Sequence, residues 1–246
     1  MSFHGSLEHF TFSQGSSRPE NLSHADRRIG TRSRCQSSSS TSSPEAKSNG
    51  SPQKKLRKAP RKYAPPSMYQ HLGTVPDYLG PDLQCVFIGL NPGIATAQRG
   101  HFFAGPTNLF WRLMYESKFV SHPVSYEDDV RMNTWGLGLT NIISRPTAEA
   151  SELSREELVA AVPSLHEKIS RHKPQAICVV GKGIYDAMWR ARHDNQSLPK
   201  SFDWGLQPES FAGCRTFVVP STSGRVAAYS REFKLNLWTK VASQVR

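Results

Sequence analysis

The sequence has only four cysteines, and no two of them are spaced as a CxxC pair. Because zinc and iron–sulfur sites commonly use such pairs, we expect no metal site of either kind. Cys85 and Cys178 lie in apolar runs, where a free thiol behaves as a small apolar side chain. This cysteine usage suits a reducing compartment.

Long hydrophobic runs are also missing. No run approaches the ~18 apolar residues of a membrane-spanning helix, so we expect no membrane association. The N-terminus lacks the basic start and apolar core of a secretory signal. Hydrophobic residues make up 37% of the chain and the mean hydropathy is −0.51. Since both values are low for a fully folded chain, we expect part of it to be disordered.

Positive charge is concentrated in one part of the 246 residues, whose net charge is +11. Residues 1–63 hold 12 Lys and Arg against 4 Asp and Glu, whereas residues 64–246 hold 19 against 16. The first segment is rich in Ser and Pro, so we predict a disordered basic tail followed by one folded domain at 64–246. The basic cluster at 54–62 predicts nuclear import, non-specific phosphate binding or both, and a solvated linker is the alternative.

Short apolar strands alternate with helices after residue 63. Strands are predicted at 84–90, 137–143, 176–180 and 216–219, and helices at 107–117, at 152–171, after 183 and at 229–243. Pro163 predicts a kink or two helical pieces, and residues 190–213 are interpreted as irregular. The alternation predicts an α/β fold with three layers, α/β/α, around a mostly parallel sheet of four to five strands.

The turns that follow these strands hold uncharged polar groups and a few cations. In a parallel sheet the carboxyl ends of the strands share one edge, where open α/β sheets place their chemistry. No acidic residue occurs in these turns before Glu149, so a divalent metal, which prefers carboxylates, is not expected there. No nucleophile stands beside His101 or His166, and both are interpreted as surface or loop residues.

The first turn is the most informative. The strand at 84–90 runs into residues 89–93, GLNPG, which present Asn91, and Phe102 and Phe103 follow one loop later. An amide beside a stacking aromatic is what a planar, hydrogen-bonding ligand such as a nucleobase requires. An ordinary tight turn with two core aromatics fits the same residues, because GLNPG alone is a weak signal.

The last turn, at residues 220–225, is small, hydroxylated and ends in Arg225. Small residues let the backbone approach a phosphate closely, and an arginine at the tip can fill the space left by an extruded base. A strand-to-helix loop with a serine cap is the alternative. Lys182, at a predicted helix N-terminus, fits either an anion contact or a solvated lysine.

Four segments together resemble the mismatch-specific uracil/thymine-DNA glycosylases of the uracil-DNA glycosylase superfamily. They are GLNPG with RGHFFAGPTNLFW, then GLGLTNIISRPT, VVGKGIYDAMW and VPSTSGR, in the family's order within about residues 80–245. The resemblance implies a monofunctional hydrolase that starts base-excision repair by removing uracil, and less readily thymine, opposite guanine. It also implies a monomer without any cofactor, a mismatched double-stranded DNA partner, and downstream repair proteins as further partners. With the basic cluster, it implies a nuclear location.

The resemblance also implies residue roles. Asn91 matches the catalytic asparagine that positions the attacking water, and Thr147 matches a hydroxyl that helps to hold this water. Leu90 and Asn141 match contacts to the flipped pyrimidine, and Phe103 matches the aromatic that stacks on it. The residues matched to DNA contacts, the last of them to a wedge in the helix, are Lys182, Ser221, Ser223 and Arg225.

Two positions depart from the family's pattern. Thr96 stands near the expected water, where relatives often carry a smaller residue, so thymine excision is less expected than uracil excision. Phe102 replaces a polar residue found in some relatives. Two other functions stay open: a catalytically weak mismatch- or damage-binding protein, and an enzyme acting on free nucleosides. Asn91 argues against the first, and the basic tail and the Arg225 loop argue against the second.

Overall fold

The computed structural model describes residues 63–245, so the predicted tail and its basic cluster lie outside the described residues, apart from residue 63. Five strands occur in the described part of the chain. They are Cys85–Gly89 (β1), Leu137–Asn141 (β2), Ala176–Val180 (β3), Gly205–Leu206 (β4) and Arg215–Val219 (β5). The four longer strands agree with the four predicted ones to within two residues at each end.

Helices connect the strands. The α-helices are Ile94–Arg99 (α1), Phe110–Glu116 (α2), Arg155–His172 (α3), Lys182–Arg192 (α4) and Arg231–Val245 (α5). Short 3-10 helices are found at Pro66–Tyr69, Tyr126–Trp135 and Ala150–Glu152. Within residues 63–245, no helix is both long enough and apolar enough to cross a membrane.

The strands form one sheet in the order β2-β1-β3-β5-β4. The first four are parallel to their neighbours, and only β4 runs antiparallel, beside β5. Cys85 in β1, which lies between β2 and β3, is opposite Leu137 on one side and Ala176 on the other. The chain moves from β1 outward to β2 and then to β3 on the opposite side. Such a reversal opens a crevice at the carboxyl ends of the strands.

Both faces of the sheet are covered, because alternate side chains of each strand enter two different apolar clusters. Phe87 of β1 packs with α2 and α5, and its ring stacks on Trp238 of α5 at 5.4 Å. Val86 and Ile88 pack on the other face with α3 and α4. The predicted three-layer α/β/α architecture with a mostly parallel sheet is therefore confirmed.

Several local predictions need correction. Helix α1 was predicted as loop, and at six residues it is too short to show a helical period; Gly100, at φ +74°, ends it. Helix α3 is one continuous helix with Pro163 on its exposed side, so the prediction of two helical pieces is wrong. Strand β4 lies within the segment predicted as irregular, and it pairs over only two residues.

The ends of two elements also differ from prediction. The predicted helix at 107–117 begins at Phe110, after Asn108 Oδ1 accepts a hydrogen bond from Phe110 N at 3.0 Å. Strand β2 ends at Asn141 and not at 143. The amides of Ile142 and Ile143 still donate to the carbonyls of Gly89 and Leu90, both at 3.0 Å. These bonds tie together the turns after β1 and β2, where the candidate site lies.

Candidate active site

A cleft of about 870 Å³ opens at the carboxyl ends of the parallel strands. It is bounded by the turn after β1, helix α1, the loop at residues 100–109 (the aromatic loop), and the turns after β2 and β5. Eight of the nine residues proposed from sequence line it: Leu90, Asn91, Phe103, Asn141, Thr147, Ser221, Ser223 and Arg225. The sheet thus brings together side chains that are more than 130 positions apart in the chain.

Asn91 lies in the turn after β1, and its amide nitrogen has two acceptors. Nδ2 donates to the carbonyl of Arg145 at 3.0 Å and to Thr147 Oγ1 at 2.8 Å. Because both acceptors face the same end of the amide, they fix which end carries the nitrogen. No residue among 63–245 donates to Asn91 Oδ1, so this oxygen remains an acceptor in the cleft.

Thr147 is only 2% exposed and supports Asn91 from the turn after β2. Its hydroxyl accepts from Asn91 Nδ2 and donates its own proton to the carbonyl of Glu149 at 3.0 Å. Its amide donates to the carbonyl of Pro92 at 3.1 Å. Because the hydroxyl proton is already donated to Glu149, the hydroxyl oxygen holds the side-chain amide of Asn91 in place.

Asn141 and Phe103 meet above the last residue of β1. A Cβ atom built on Gly89 would overlap Asn141 Oδ1 and would lie 3.4 Å from Phe103 Cζ. A side chain at Gly89 is therefore incompatible with the position of the Asn141 amide. Asn141 is buried to 8% exposure, so its amide adds a donor and an acceptor to a largely desolvated part of the cleft.

The aromatic loop presents Phe103 in an unusual backbone conformation. Its φ is +54°, in the left-handed region that costs a non-glycine residue energy and that needs support from its surroundings. The Phe103 ring stacks on Phe110 with centroids 4.0 Å apart and planes at 14°. Phe102 is fully buried against the same loop and also borders the cleft.

The turn after β5 forms the opposite wall. Within it, Ser221 Oγ accepts from Ser223 N and Ser223 Oγ accepts from Arg225 N, both at 3.3 Å. The side chain of Arg225 reaches across the cleft, where Nη1 donates to the carbonyl of Ala148 and lies 3.9 Å from Glu149 Oε1. The wedge expected from the resemblance therefore bridges the two walls in this structure.

Lys182 is the one candidate that the structure does not bring to the cleft. It is the first residue of α4, and its Nζ lies 4.5 Å from the centre of the Phe202 ring, a cation–π contact. The sequence placed Lys182 correctly after β3. The direction of its long side chain depends on Phe202, in the segment where no element was predicted.

Comparison with known proteins identifies the family of this chain. The family model described as "Uracil DNA glycosylase superfamily" matches residues 76–242. The chain belongs to this superfamily. It is 39% identical over 174 residues to a G/U mismatch-specific uracil DNA glycosylase of Schizosaccharomyces pombe. The alignment covers 70% of this chain and 53% of the relative, so the chain spans about half the length of the curated relative. A solution NMR structure of a Methanosarcina acetivorans protein is 19% identical, with a TM-score of 0.49 over 70% of this chain and 97% of that one.

No sequence pattern indicated Asp129, which binds residues 101 and 102 of the aromatic loop. Asp129 is fully buried in the 3-10 helix, where Oδ2 accepts from Phe102 N at 2.8 Å and Oδ1 lies 2.9 Å from His101 Nδ1. Burial, and then the charge of Asp129, raise the pKa of Tyr78. An isolated aspartate in a polar stretch carries no sequence signal for this role.

A second missed residue is Lys234 of α5, which is 2% exposed. Its Nζ donates to the carbonyl of Val226 at 3.2 Å, directly after Arg225. Burial lowers the pKa of the Lys234 ammonium group. This contact supports the end of the Arg225 turn.

The lining of the cleft is mostly uncharged. Thr96 is buried in α1 and also lines the cleft, as the sequence suggested. Glu149 is the one acidic residue among the residues that line it. Across residues 63–245, no cluster of three or more His, Cys, Asp or Glu side chains is arranged to hold a metal ion.

Proposed function

We propose that this protein is a monofunctional DNA glycosylase that hydrolyses the N-glycosidic bond of uracil mispaired with guanine, a first step of base-excision repair. The observation that carries the proposal is the Asn91 amide, whose nitrogen is held by two acceptors and whose oxygen remains available in the cleft. Membership of the superfamily and the name of the Schizosaccharomyces pombe relative support the choice of uracil.

The reaction breaks the bond between the sugar C1′ and the base N1. The electron pair leaves with the base, the sugar gains oxocarbenium character, and the oxygen of water then bonds to C1′ while a proton of the water passes, directly or through solvent, to the base anion. An amide is too weak a base to take that proton, so Asn91 Oδ1 orients the water by accepting a hydrogen bond from it. Departure of the base anion is the demanding step, and it is aided by hydrogen-bond donors near the base.

Base recognition is assigned to Asn141, Phe103 and Leu90. The pairing edge of uracil carries a donor between two acceptors. A side-chain amide can donate to an acceptor on this edge and accept from the donor. One face of Phe103 is covered by Phe110, so its other face is suited to stack on a flipped base. Thr96 occupies space in the same cleft, and we propose that it disfavours the methyl group of thymine. Uracil is therefore the better substrate, and thymine opposite guanine the poorer one.

DNA contacts are assigned to the turn after β5. Ser221 and Ser223 offer hydroxyls to phosphate groups, and Arg225 enters the duplex where the base has left. Flipping is cheapest at a mismatch, which favours G·U and G·T pairs over matched pairs. Lys182, away from the cleft, is left with at most a peripheral phosphate contact.

Residues 1–63 are proposed to add salt-sensitive affinity for DNA, because their positive charge releases counterions from the phosphate backbone. The basic cluster at 54–62 supports a nuclear location. We further propose that the protein acts as a monomer and hands its product to downstream repair proteins.

The direct test is single-turnover cleavage of labelled duplexes that carry one G·U, G·T or A·U pair, by wild type and Asn91→Ala. We expect excision from G·U to be fastest and to fall at least ~100-fold in Asn91→Ala, since a misplaced reactant costs about this much. Binding of the duplex should persist in the variant. Binding without excision by the wild type would instead identify a mismatch-binding protein.

A further inference from the structure

We propose that Glu157 and Arg145 act as a positioning pair for Asn91, by fixing the carbonyl group against which the Asn91 amide rests. The pair joins helix α3 to the turn after β2, and neither side chain lines the cleft. The inference rests on the proposed function, because it assigns these two residues a part in the same reaction.

The first contact in this chain is made by the backbone of Arg145. Its carbonyl oxygen accepts from Asn91 Nδ2 at 3.0 Å and is one of only two acceptors that the described residues offer to this nitrogen. Arg145 lies between the end of β2 and the next 3-10 helix. The backbone amides of Ile143 before it and Thr147 after it bond to the turn that follows β1, whereas no backbone–backbone hydrogen bond is made by Arg145 among the described residues. Between these two fixed points, what holds the Arg145 side chain also sets the position of its carbonyl.

The guanidinium of Arg145 is held by Glu157 through two parallel hydrogen bonds. Nε donates to Oε1 at 2.5 Å and Nη2 donates to Oε2 at 2.7 Å. Such a bidentate pair fixes direction as well as distance. The hydrogen bonds from Arg145 lower the pKa of Glu157, so the carboxylate is ionised at neutral pH. The side chains are 14% and 24% exposed, which limits screening by solvent.

Two further contacts fix the same guanidinium. Nη2 also approaches the carbonyl of Glu152 at 3.5 Å, and the ring of Tyr63 lies 5.8 Å from the guanidinium carbon. The buried carboxylate of Glu152 meanwhile accepts from Ala148 N at 3.2 Å. The turn that carries both acceptors of Asn91 is thus held at its start by Arg145 and near its end by Glu152.

The other end of the pair is anchored in a rigid element. Glu157 lies in the first turn of α3, and its amide donates to the capping Ser154 Oγ at 3.1 Å. Helix α3 packs on the sheet through buried Val162, Leu165 and Ile169. Because α3 cannot shift without disturbing this packing, it serves as a fixed support for the turn.

The same helix provides a matched control. Glu167 and Arg171 form an ion pair at 2.6 Å, but both side chains are 69% exposed and both belong to α3. Neutralisation of Glu167 changes the net charge by the same amount as neutralisation of Glu157, without touching the turn after β2. A difference between the two pairs therefore reports position and not charge.

The experiment compares Glu157→Gln and Arg145→Lys with Glu167→Gln in the full-length protein. Single-turnover excision at saturating enzyme should fall about tenfold in the first two, because the asparagine amide loses its fixed orientation. Affinity for the G·U duplex should stay within about twofold of wild type, since neither residue lines the cleft. Arg145→Lys retains the positive charge and so keeps the test valid if Glu157→Gln folds poorly.

A second readout does not require activity. The side-chain NH₂ resonances of Asn91, assigned by their loss in Asn91→Ala, should shift and exchange faster with water in Glu157→Gln and Arg145→Lys only. The positioning role would be overturned if the Asn91 resonances were unchanged in Glu157→Gln. It would also be overturned if Glu157→Gln and Glu167→Gln excised uracil at equal rates. Absence of excision by the wild type would refute the proposed function. The resonances would still show whether Glu157 and Arg145 hold the Asn91 amide against the Arg145 carbonyl.

Discussion

The wall of the cleft that carries Asn91 and the wall that carries Arg225 differ in how their side chains are held. Asn91 donates to two acceptors in another turn, and Thr147, one of these, is 2% exposed. The Arg225 side chain is 67% exposed and meets a carboxylate at 3.9 Å, a distance at which an exposed ion pair contributes little.

This difference matches the two tasks that we propose. Orientation of a water requires an acceptor whose position is fixed before the substrate arrives. Entry into a duplex requires a side chain that can leave its resting contacts at small cost. The partly buried hydrogen bonds of Asn91 supply the first property. The exposed contacts of Arg225 with Ala148 and Glu149 supply the second.

A side chain added at the end of β1 should have the largest effect on excision, because it disturbs the wall of the cleft that carries Asn91. In Gly89→Ala the new methyl group would overlap Asn141 Oδ1, so the Asn141 amide must move from its present position. We expect the single-turnover rate on G·U to fall about 100-fold, the usual cost of misplacing a reacting group by about 1 Å.

Gly183→Ala is the matched control for this change. It lies in the first turn of α4, after the neighbouring strand β3, and a Cβ there meets nothing within 4 Å. Its rate should equal that of wild type. Equal losses in both variants would show that the closeness of Asn141 to Gly89 is irrelevant to excision.

Replacement of the buried Asp129 beside the aromatic loop should produce the next largest effect, which is a loss of stability. Asp129→Asn places an NH₂ group beside either Phe102 N or His101, so one buried hydrogen bond is lost. We expect the free energy of unfolding to fall by about 2 kcal/mol, measured with a chemical denaturant. Exposed Glu127→Gln should stay within about 0.5 kcal/mol of wild type. Asp129 would be dispensable if the two variants unfolded alike.

The smallest effect is expected on the second wall. Arg225→Ala should weaken binding of the G·U duplex about fivefold, because one exposed contact with DNA is lost. It should change the excision rate at saturating enzyme less than Gly89→Ala does. Fluorescence anisotropy at fixed salt measures the affinity. Arg171→Ala removes an equally exposed charge from α3 and should have a smaller effect. Equal affinities for the two variants would leave Arg225 with no wedge role.

Much of the fold was predictable because its signals are local. Apolar runs such as 176–180 carry the period of a buried strand, and the residues of α3 carry that of a helix despite Pro163. Helix α1 and strand β4 were missed, since six and two residues are too few to show any period. Asn91 was singled out as an uncharged polar side chain in the turn after a predicted strand, and its expected catalytic role came from the family resemblance.

The partners of these residues could not be predicted in the same way. Asn91 and Arg145 are 54 positions apart, and no local pattern relates them. The contact arises because β1 and β2 are neighbours in the sheet and their following turns meet. Asp129 and Lys234 were missed for the same reason, since their roles depend on burial against segments distant in the chain.

The sequence by itself determined the order of strands and helices, and the strand ends at which the candidate side chains stand, because these depend on side chains close together in the chain. Only the tertiary structure decided the direction of each side chain. It turned Lys182 toward Phe202 and away from the cleft, and it placed Arg225 against Ala148 on the opposite wall. Side-chain direction is set by packing between elements, and packing exists only once the sheet has assembled.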